Sequence, residues 1–329
     1  MKRKLLSLII ASTMLAVTAC GASGGSGASA SKDKVYHVGV CQLVQHDALD
    51  AATNGFVDTL KAEFGDNVVI DNQNAQGDSA TCATIVNGFV SNNYDLIMGN
   101  ATPALQAAVA ATTDIPVLGT SITDYGTALN MENFSGTSGI NVSGTSDLAP
   151  LDQQEDMILE LCPEVKKVAI LFCSAEPNSA FQASQIEKYL DEDKVAYQEY
   201  AFADSNDIQS VVTAAANDCD VFYIPTDNTA ASNMTLVTNV TEPNKIPIIC
   251  GEQNMCASGG LATLSISYYD LGVATGKQAI EILKNGADVS KMQVEYASAT
   301  TKMYNKAYAD AIGVTVPDGY EAIEASEAN

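Results

Sequence analysis

The segment KVYHVGVC at residues 34–41 is similar to the segment KKVAILFC at residues 166–173. Two more pairs follow in the same order: DLIMG (95–99) with DVFYI (220–224), and IPVL (115–118) with IPII (246–249). One such match is common by chance, but three in register indicate an internal repeat. The sequence therefore predicts two lobes of one architecture on a single chain, with a cleft between them.

Apolar segments of strand length alternate with segments of helical period through both halves. Near-continuous apolar strands that alternate with helices predict parallel sheets covered on both faces. We therefore predict an α/β fold of two doubly wound, Rossmann-like parallel-sheet lobes, joined by a hinge through residues 136–146. We expect residues 34–143 with about 268–290 in the N-terminal lobe, and residues 144–267 with about 291–329 in the C-terminal lobe. Within that scheme, residues 292–297 return to the second lobe.

The first 33 residues have the pattern of an export signal and a tether. Lys2, Arg3 and Lys4 precede an apolar stretch too short to span a membrane, and VTAC (17–20) is similar to the lipobox of bacterial lipoproteins. We predict a signal peptide over residues 1–19, a lipid on Cys20, and a flexible tether over residues 20–33 that is rich in Gly, Ala and Ser. Together they predict a protein anchored at the outer face of a cell membrane.

The charge of the chain limits its partners. The formal net charge is −24, and removal of the signal leaves 13 basic residues against 40 acidic ones. Nucleic acid is disfavoured as a partner, because phosphate binding needs clustered Lys and Arg. Arg3 is the one arginine and lies in the predicted signal. An anionic group on a ligand must therefore be held by main-chain N–H groups, hydroxyls, amides or Lys.

Seven cysteines follow Cys20, and none forms a CxxC pair. A zinc site is therefore disfavoured, and we expect no metal and no cofactor. Cys41, Cys173 and Cys250 end apolar strand-like runs and are expected to be small buried residues. Cys250 and Cys256 are close enough in sequence to be considered as a pair.

The ligand site is predicted by the fold class. In doubly wound sheets, ligands bind beyond the carboxyl ends of the strands. Helix N-termini there offer N–H groups to a carboxylate, and nearby acids offer partners to an ammonium group. Each of these acids has an alternative role as a helix N-cap. The candidate ligand-binding residues are Gln42, His46, Thr102, Pro103, Thr123, Asp124, Ser174, Glu176, Asn178, Ser179, Thr226, Asp227, Asn228 and Glu252.

Catalysis is poorly supported by the sequence. The chain has two histidines, His37 and His46, and lacks GxSxG, HExxH and GxxxxGK[ST] motifs. A thiol hydrolase that uses Cys41 or Cys173 remains as an enzymatic alternative. We expect no catalytic residues and a binding protein rather than an enzyme.

Several blocks of the cleft loops carry a family resemblance. They are QLVQH (42–46), QNAQGD (73–78), ATPA (101–104), SDL (146–148), PTDNT (225–229), and LATL (261–264) running into YYDLG (268–272). With these blocks the chain resembles the substrate-binding lipoproteins of ABC transporters in the tryptophan-binding (TrpX-like) group. The resemblance covers nearly all of the chain after the predicted signal.

The resemblance implies a periplasmic binding protein of type I that closes by a hinge on an amino acid and delivers it to an ABC permease with its ATPase. The name of the group implies an aromatic ligand (Trp, Phe or Tyr), for which Tyr125 is the obvious stacking candidate. We expect a monomer held to the membrane through Cys20. A sugar, nucleoside or small-peptide ligand in the same fold stays open as the alternative.

Overall fold

Two sheets of buried strands organise the chain. The computed structural model describes residues 34–297 and 299–323. The predicted signal peptide, the lipidation site Cys20 and the tether over residues 20–33 lie outside these described residues.

The first sheet has six strands, all parallel, in the order β11-β5-β4-β3-β1-β2. Its central strands are fully buried, because helices cover both faces. The strands are β1 (Tyr36–Gln42), β2 (Val68–Asn74), β3 (Leu96–Asn100), β4 (Val117–Ile122), β5 (Val142–Ser146) and β11 (Glu295–Tyr296).

The second sheet has seven strands in the order β13-β12-β10-β9-β8-β6-β7. The pairing is parallel except between β10 and β12. The strands are β6 (Lys167–Cys173), β7 (Ala196–Phe202), β8 (Val221–Ile224), β9 (Ile248–Cys250), β10 (Ala262–Ser265), β12 (Thr301–Tyr304) and β13 (Glu321–Ala322). The prediction of two doubly wound α/β lobes is thereby confirmed.

Twelve α-helices lie within the described residues. Those of the first lobe are α1 (Asp47–Phe64), α2 (Ser79–Ser91), α3 (Thr102–Ala111), α4 (Tyr125–Leu129) and α11 (Tyr268–Asn285). Those of the second lobe are α5 (Leu151–Leu161), α6 (Pro177–Glu192), α7 (Ile208–Ala216), α8 (Asn228–Ala231), α9 (Met234–Thr241), α10 (Gln253–Gly259) and α12 (Lys306–Ile312). Two 3₁₀ turns complete the set, at Gly65–Asn67 and Val289–Lys291.

Helix α11 packs directly against α1, although more than 200 residues separate them in sequence. A Cβ at Gly272 would lie 1.9 Å from the carbonyl oxygen of Ala52, so only glycine permits this approach. Ala279 and Ile282 of α11 join Val38 and Phe56 in one buried cluster. The C-terminal third of the chain thus supplies part of the core of the first lobe.

The structure differs from the prediction in how the lobes are joined. The segment predicted as the hinge contains β5, which pairs with β4 inside the first sheet, so the crossing begins after Ser146. Residues 292–297 were expected in the second lobe, but Glu295–Tyr296 pairs with Thr145–Ser146 in the first. Short polar edge strands have no apolar pattern that assigns them to a sheet. Two crossings between the lobes are residues 147–150 and 266–267, and a third connects Tyr296 in the first sheet to Thr301 in the second.

The described residues contain no helix of the length and apolarity that a bilayer crossing needs. The seven cysteines after Cys20 are all free thiols, and Cys162 is the one that is not buried.

Candidate ligand-binding site between the lobes

A small cavity of about 10 Å³ lies between the lobes, and strand ends of both sheets contribute to it. Loops after β1, β4 and β5 line it from the first lobe, and loops after β8 and β9 line it from the second. We call it the inter-lobe cavity. It is lined by His46, Leu49, Ser121, Thr123, Asp147, Asn178, Thr226, Asp227, Asn228, Ala231, Glu252 and Tyr268.

A β-bulge at the end of β4 places Ser121 in this cavity. The register between β4 and β5 shifts between Gly119 and Ile122, and Ser121 has a φ of 56°. A non-glycine residue in this left-handed region costs energy, which is characteristic of functional sites. Ser121 is 6% exposed, and its hydroxyl oxygen has no hydrogen-bond partner. The bulge therefore presents a free hydroxyl to a ligand.

Tyr125 lies behind this bulge and not in the cavity. Its side chain is 2% exposed, and its hydroxyl donates to the carbonyl oxygen of Gly119 at 3.1 Å. Its ring stacks on Phe134, with the ring centroids 6.0 Å apart. Tyr125 therefore packs inside the first lobe, and the prediction that it stacks on the ligand is wrong.

Two side-chain hydrogen bonds connect the lobes across the cavity. The hydroxyls of Thr123 and Thr226 are 3.3 Å apart, and His46 Nε2 is 3.2 Å from Asn228 Oδ1. Both pairs join a first-lobe loop to the loop after β8. The structure therefore has the two lobes in contact around the cavity.

The orientation of Asn228 determines the tautomer of His46. Asn228 Nδ2 donates to Glu176 Oε2 at 2.7 Å, so Asn228 Oδ1 is the acceptor and His46 Nε2 the donor. Burial lowers the pKa of His46, which favours the neutral ring. Its Nδ1 is then an acceptor, and this buried atom has no partner.

Asn178 adds a second unpartnered acceptor. Its Nδ2 donates to the main-chain oxygen of Thr226 at 3.0 Å, which assigns the amide orientation. Its Oδ1 is left without a partner, although the residue is only 3% exposed. Buried polar atoms are rarely unpaired in native structures, so this arrangement indicates a site for a hydrogen-bond donor.

Three buried carboxyl groups line the same cavity without a Lys or Arg among the lining residues. Burial, and then the charge of Glu176, raise the pKa of Asp227 to about 8. Burial raises the pKa of Glu252 to about 7 and also raises the pKa of Asp147. Taking carboxylates out of water favours their neutral form, so a cation that entered the cavity would stabilise the charged form.

The structure brings seven of the fourteen predicted residues together in the cavity: His46, Thr123, Asn178, Thr226, Asp227, Asn228 and Glu252. Pro103 and Glu176 line a neighbouring pocket of about 250 Å³, which shares Asn228 with the cavity. We call this neighbour the mouth pocket.

The remaining five predicted residues line neither space. Gln42 is engaged by Asp50 and Thr53 within the first lobe. Asp124 caps α4 by accepting from the main-chain N–H of Thr127 at 2.6 Å. Thr102, at the start of α3, and Ser179, on α6, are buried, and the Ser174 hydroxyl donates to the main-chain oxygen of Phe202.

Sequence reasoning missed five lining residues: Leu49, Ser121, Asp147, Ala231 and Tyr268. Ser121 lies two residues before the predicted site residue Thr123, but nothing in the sequence marks the bulge. Asp147 and Tyr268 lay in blocks that carry the family resemblance and border the crossings between lobes. Their position after β5 and β10 was the signal that could have identified them.

No group of three or more His, Cys, Asp or Glu side chains within residues 34–297 and 299–323 is placed to hold a metal ion. Two similar lobes that enclose a small polar cavity at their strand ends define a ligand-binding protein of the type I periplasmic binding class. The sequence pattern of the family described as ABC transporter substrate binding protein matches residues 37–326. The chain belongs to this family.

Known relatives agree with this assignment. The tyrosine-binding protein of Clostridioides difficile is 36% identical over 314 residues, which cover 92% of this chain and 90% of that protein. A solved ABC domain from Streptococcus pneumoniae in complex with L-Trp is 36% identical, with a TM-score of 0.83, over 88% of this chain and all of the other.

A third relative is the ligand-free, open structure of a Clostridium difficile substrate-binding protein with adhesive properties. It is 35% identical, with a TM-score of 0.68, over 89% of this chain and all of the other. At nearly equal identity, this chain thus superposes better on the Trp-bound structure than on the open one.

Proposed function

We propose that this protein binds a free amino acid with an aromatic side chain (Trp, Phe or Tyr) in the inter-lobe cavity and delivers it to an ABC importer. The observation that carries the proposal is the pair of buried, unpartnered acceptors, His46 Nδ1 and Asn178 Oδ1, beside three carboxyl groups. A primary ammonium group supplies the donors and the positive charge that this lining lacks.

The ligand carboxylate has to be held without guanidinium groups, since Arg3 lies in the predicted signal. The Ser121 hydroxyl, unpartnered and held by the strained bulge, is a donor suited to this task. Donors and acceptors on one lining are complementary to a zwitterion. A neutral sugar would leave the carboxyl groups of the cavity without a cation.

The side chain of the ligand is assigned to the mouth pocket. Leu43, Val44 and Pro103 give this pocket apolar surface on the first-lobe side, and it adjoins the cavity at Asn228. An aromatic ring is supported by the relatives, one named for tyrosine and one solved with L-Trp. Both are about one-third identical to this chain.

The proposal includes the cellular context. The signal peptide over residues 1–19 directs export, lipid on Cys20 anchors the monomeric protein at the outer face of the membrane, and the permease with its ATPase receives the ligand. Closure of the lobes presents the loaded form to the permease. We assign the protein no catalytic role.

Calorimetry of the purified, ligand-stripped protein against the twenty amino acids tests the function. We expect at least one of Trp, Phe and Tyr to bind with micromolar affinity or better. Glucose, uridine and a dialanine peptide serve as competitors from the alternative ligand classes. Binding of one of these, with no amino acid bound below about millimolar concentration, would refute the proposal.

A further inference from the structure

We infer that Asp147 is the carboxylate that receives the ammonium group of the ligand, and that the cavity therefore selects for an unmodified primary ammonium. The inference rests on the proposed function and deepens it. Three acids line the cavity, Asp147, Asp227 and Glu252, and Glu176 contacts Asn228 at its border. Asp147 differs from the other three acids in the donors that its carboxylate binds.

The carboxylate of Glu176 accepts hydrogen bonds from the loop that follows β8. Its oxygens accept from the main-chain N–H groups of Asn228 at 3.0 Å and Thr229 at 2.8 Å. They also accept from Asn228 Nδ2 and from the Thr229 hydroxyl, both at 2.7 Å. Four donors satisfy this carboxylate, so it stabilises the loop and has little capacity left for a ligand.

Asp227 and Glu252 are N-caps. Asp227 accepts from the main-chain N–H groups of Cys173 at 2.6 Å and Ala230 at 2.8 Å. Glu252 accepts from those of Asn254, at 2.6 Å, and Met255. Main-chain donors cannot turn away when a ligand arrives, so each of these acids has both oxygens committed to the fold.

Asp147 differs because its side-chain partners are hydroxyl groups. Thr123 donates to Oδ1 at 3.0 Å, and Tyr268 donates to Oδ2 at 2.8 Å. The residue is 4% exposed and no Lys or Arg lines its cavity. Hydroxyl groups, unlike main-chain N–H groups, can rotate to admit a further donor at either oxygen, and they orient the carboxylate without neutralising it.

A second observation points to the same group. Asn178 Oδ1 and His46 Nδ1 are buried, unpartnered acceptors on the same lining. With Asp147 they make three acceptors, which is the number of N–H bonds in a primary ammonium group. Acylation or removal of the amine would leave at least one of these acceptors unpaired in the closed protein, at a large cost in affinity.

The position of Asp147 links this contact to closure. Asp147 follows β5 at the first crossing between lobes, and its partner Tyr268 follows the second crossing at the start of α11. Its other partner, Thr123, also touches Thr226 of the second lobe. An ammonium group on Asp147 therefore lies where the first two crossings and the two lobes meet.

The test is Asp147→Asn, an isosteric change that removes the charge. The probes are L-tyrosine and its deaminated analogue 3-(4-hydroxyphenyl)propanoate, each measured by calorimetry. We expect the affinity for L-tyrosine to fall by about 100-fold, because one partner of a buried charge pair is lost. The affinity for the deaminated analogue should change less than about threefold, so the preference of the wild type for the amine collapses.

Asp288→Asn is the matched control, since Asp288 is an exposed N-cap carboxylate outside the cavity lining. Its affinities should equal those of the wild type. A crystal structure of the wild-type protein with L-tyrosine provides a second measurement that does not depend on the variant folding. We expect the ammonium nitrogen within hydrogen-bond distance of a carboxylate oxygen of Asp147.

An unchanged preference for L-tyrosine in Asp147→Asn, or an ammonium group placed on Asp227 or Glu252 instead, would overturn the inference while the proposed function stands. A wild-type protein that binds no amino acid would remove the function itself. The two failures are therefore distinguishable.

Discussion

Glu155 on α5 should make the stability of this protein depend on pH. The side chain is 2% exposed, and its Oε1 has no hydrogen-bond partner. Burial, followed by the negative charges of Asp193 and Asp156, raises the pKa of Glu155 from 4.5 to about 7. The folded state thus holds this proton more tightly than the unfolded state does. The stabilisation is complete below the unfolded pKa and is lost as the pH rises through the folded one.

The magnitude follows from the two pKa values. Proton linkage between 4.5 and about 7 predicts that Glu155 costs the wild type about 2.5 kcal/mol more at pH 8 than at pH 5. Glu155→Gln removes the ionisation. The variant should therefore gain about 2.5 kcal/mol relative to the wild type over this interval.

Urea denaturation at pH 5, 6, 7 and 8 measures the difference. Asp152→Asn is the control, because Asp152 is an exposed acid in the first turn of the same helix. Its effect on the free energy of unfolding should be below about 1 kcal/mol. A stability difference between Glu155→Gln and the wild type that stays constant from pH 5 to pH 8 would refute the assigned cause of the shift.

Three further changes test other parts of the structure. Gly144→Ala should cost about 3 kcal/mol of unfolding free energy, because φ is 140° and the new Cβ would lie 2.0 Å from the Gly119 oxygen; an unchanged melting temperature would contradict this. Tyr125→Phe should lower the free energy of unfolding by about 1 kcal/mol and leave the ligand affinity, measured by calorimetry, within about twofold of the wild type. A large loss of affinity would show that Tyr125 contacts the ligand. Thr226→Val removes the contact with Thr123, so the ligand-free protein should shift towards open lobes. Small-angle scattering should then show a larger radius of gyration than that of the wild type. Identical scattering curves would show that the contact does not hold the lobes together.

The alternation of apolar strands and helices was sufficient to predict the two lobes. The buried strand β3 has no polar side chain from Leu96 to Gly99, and this pattern is visible in the sequence. The edge strands were not predictable in this way. The dipeptide Glu295–Tyr296 has no pattern of its own, and it joins the first sheet only because β5 offers a free edge there.

The site was predicted in part, for a related reason. The rule that ligands bind beyond strand ends located the loops that carry His46, Thr226 and Asp227, which do line the cavity. The rule could not show which acids serve as helix caps and not as ligand contacts, because capping depends on which main-chain N–H groups lie close to each carboxylate. The bulge at Ser121 was also hidden, since a register shift is a property of two paired strands.

The origin of α11 and β11 in the last third of the chain has a consequence for synthesis. Apolar residues of α1 stay exposed until α11 emerges from the ribosome, and β5 lacks its second neighbour in the sheet, β11, until Tyr296 has been added. Contacts at such sequence separation make folding slow, since loop closure has to precede them. The amino-terminal lobe therefore becomes foldable only after the carboxy-terminal one is nearly complete, and fragments that stop at residue 146 are candidates for aggregation and not for independent folding.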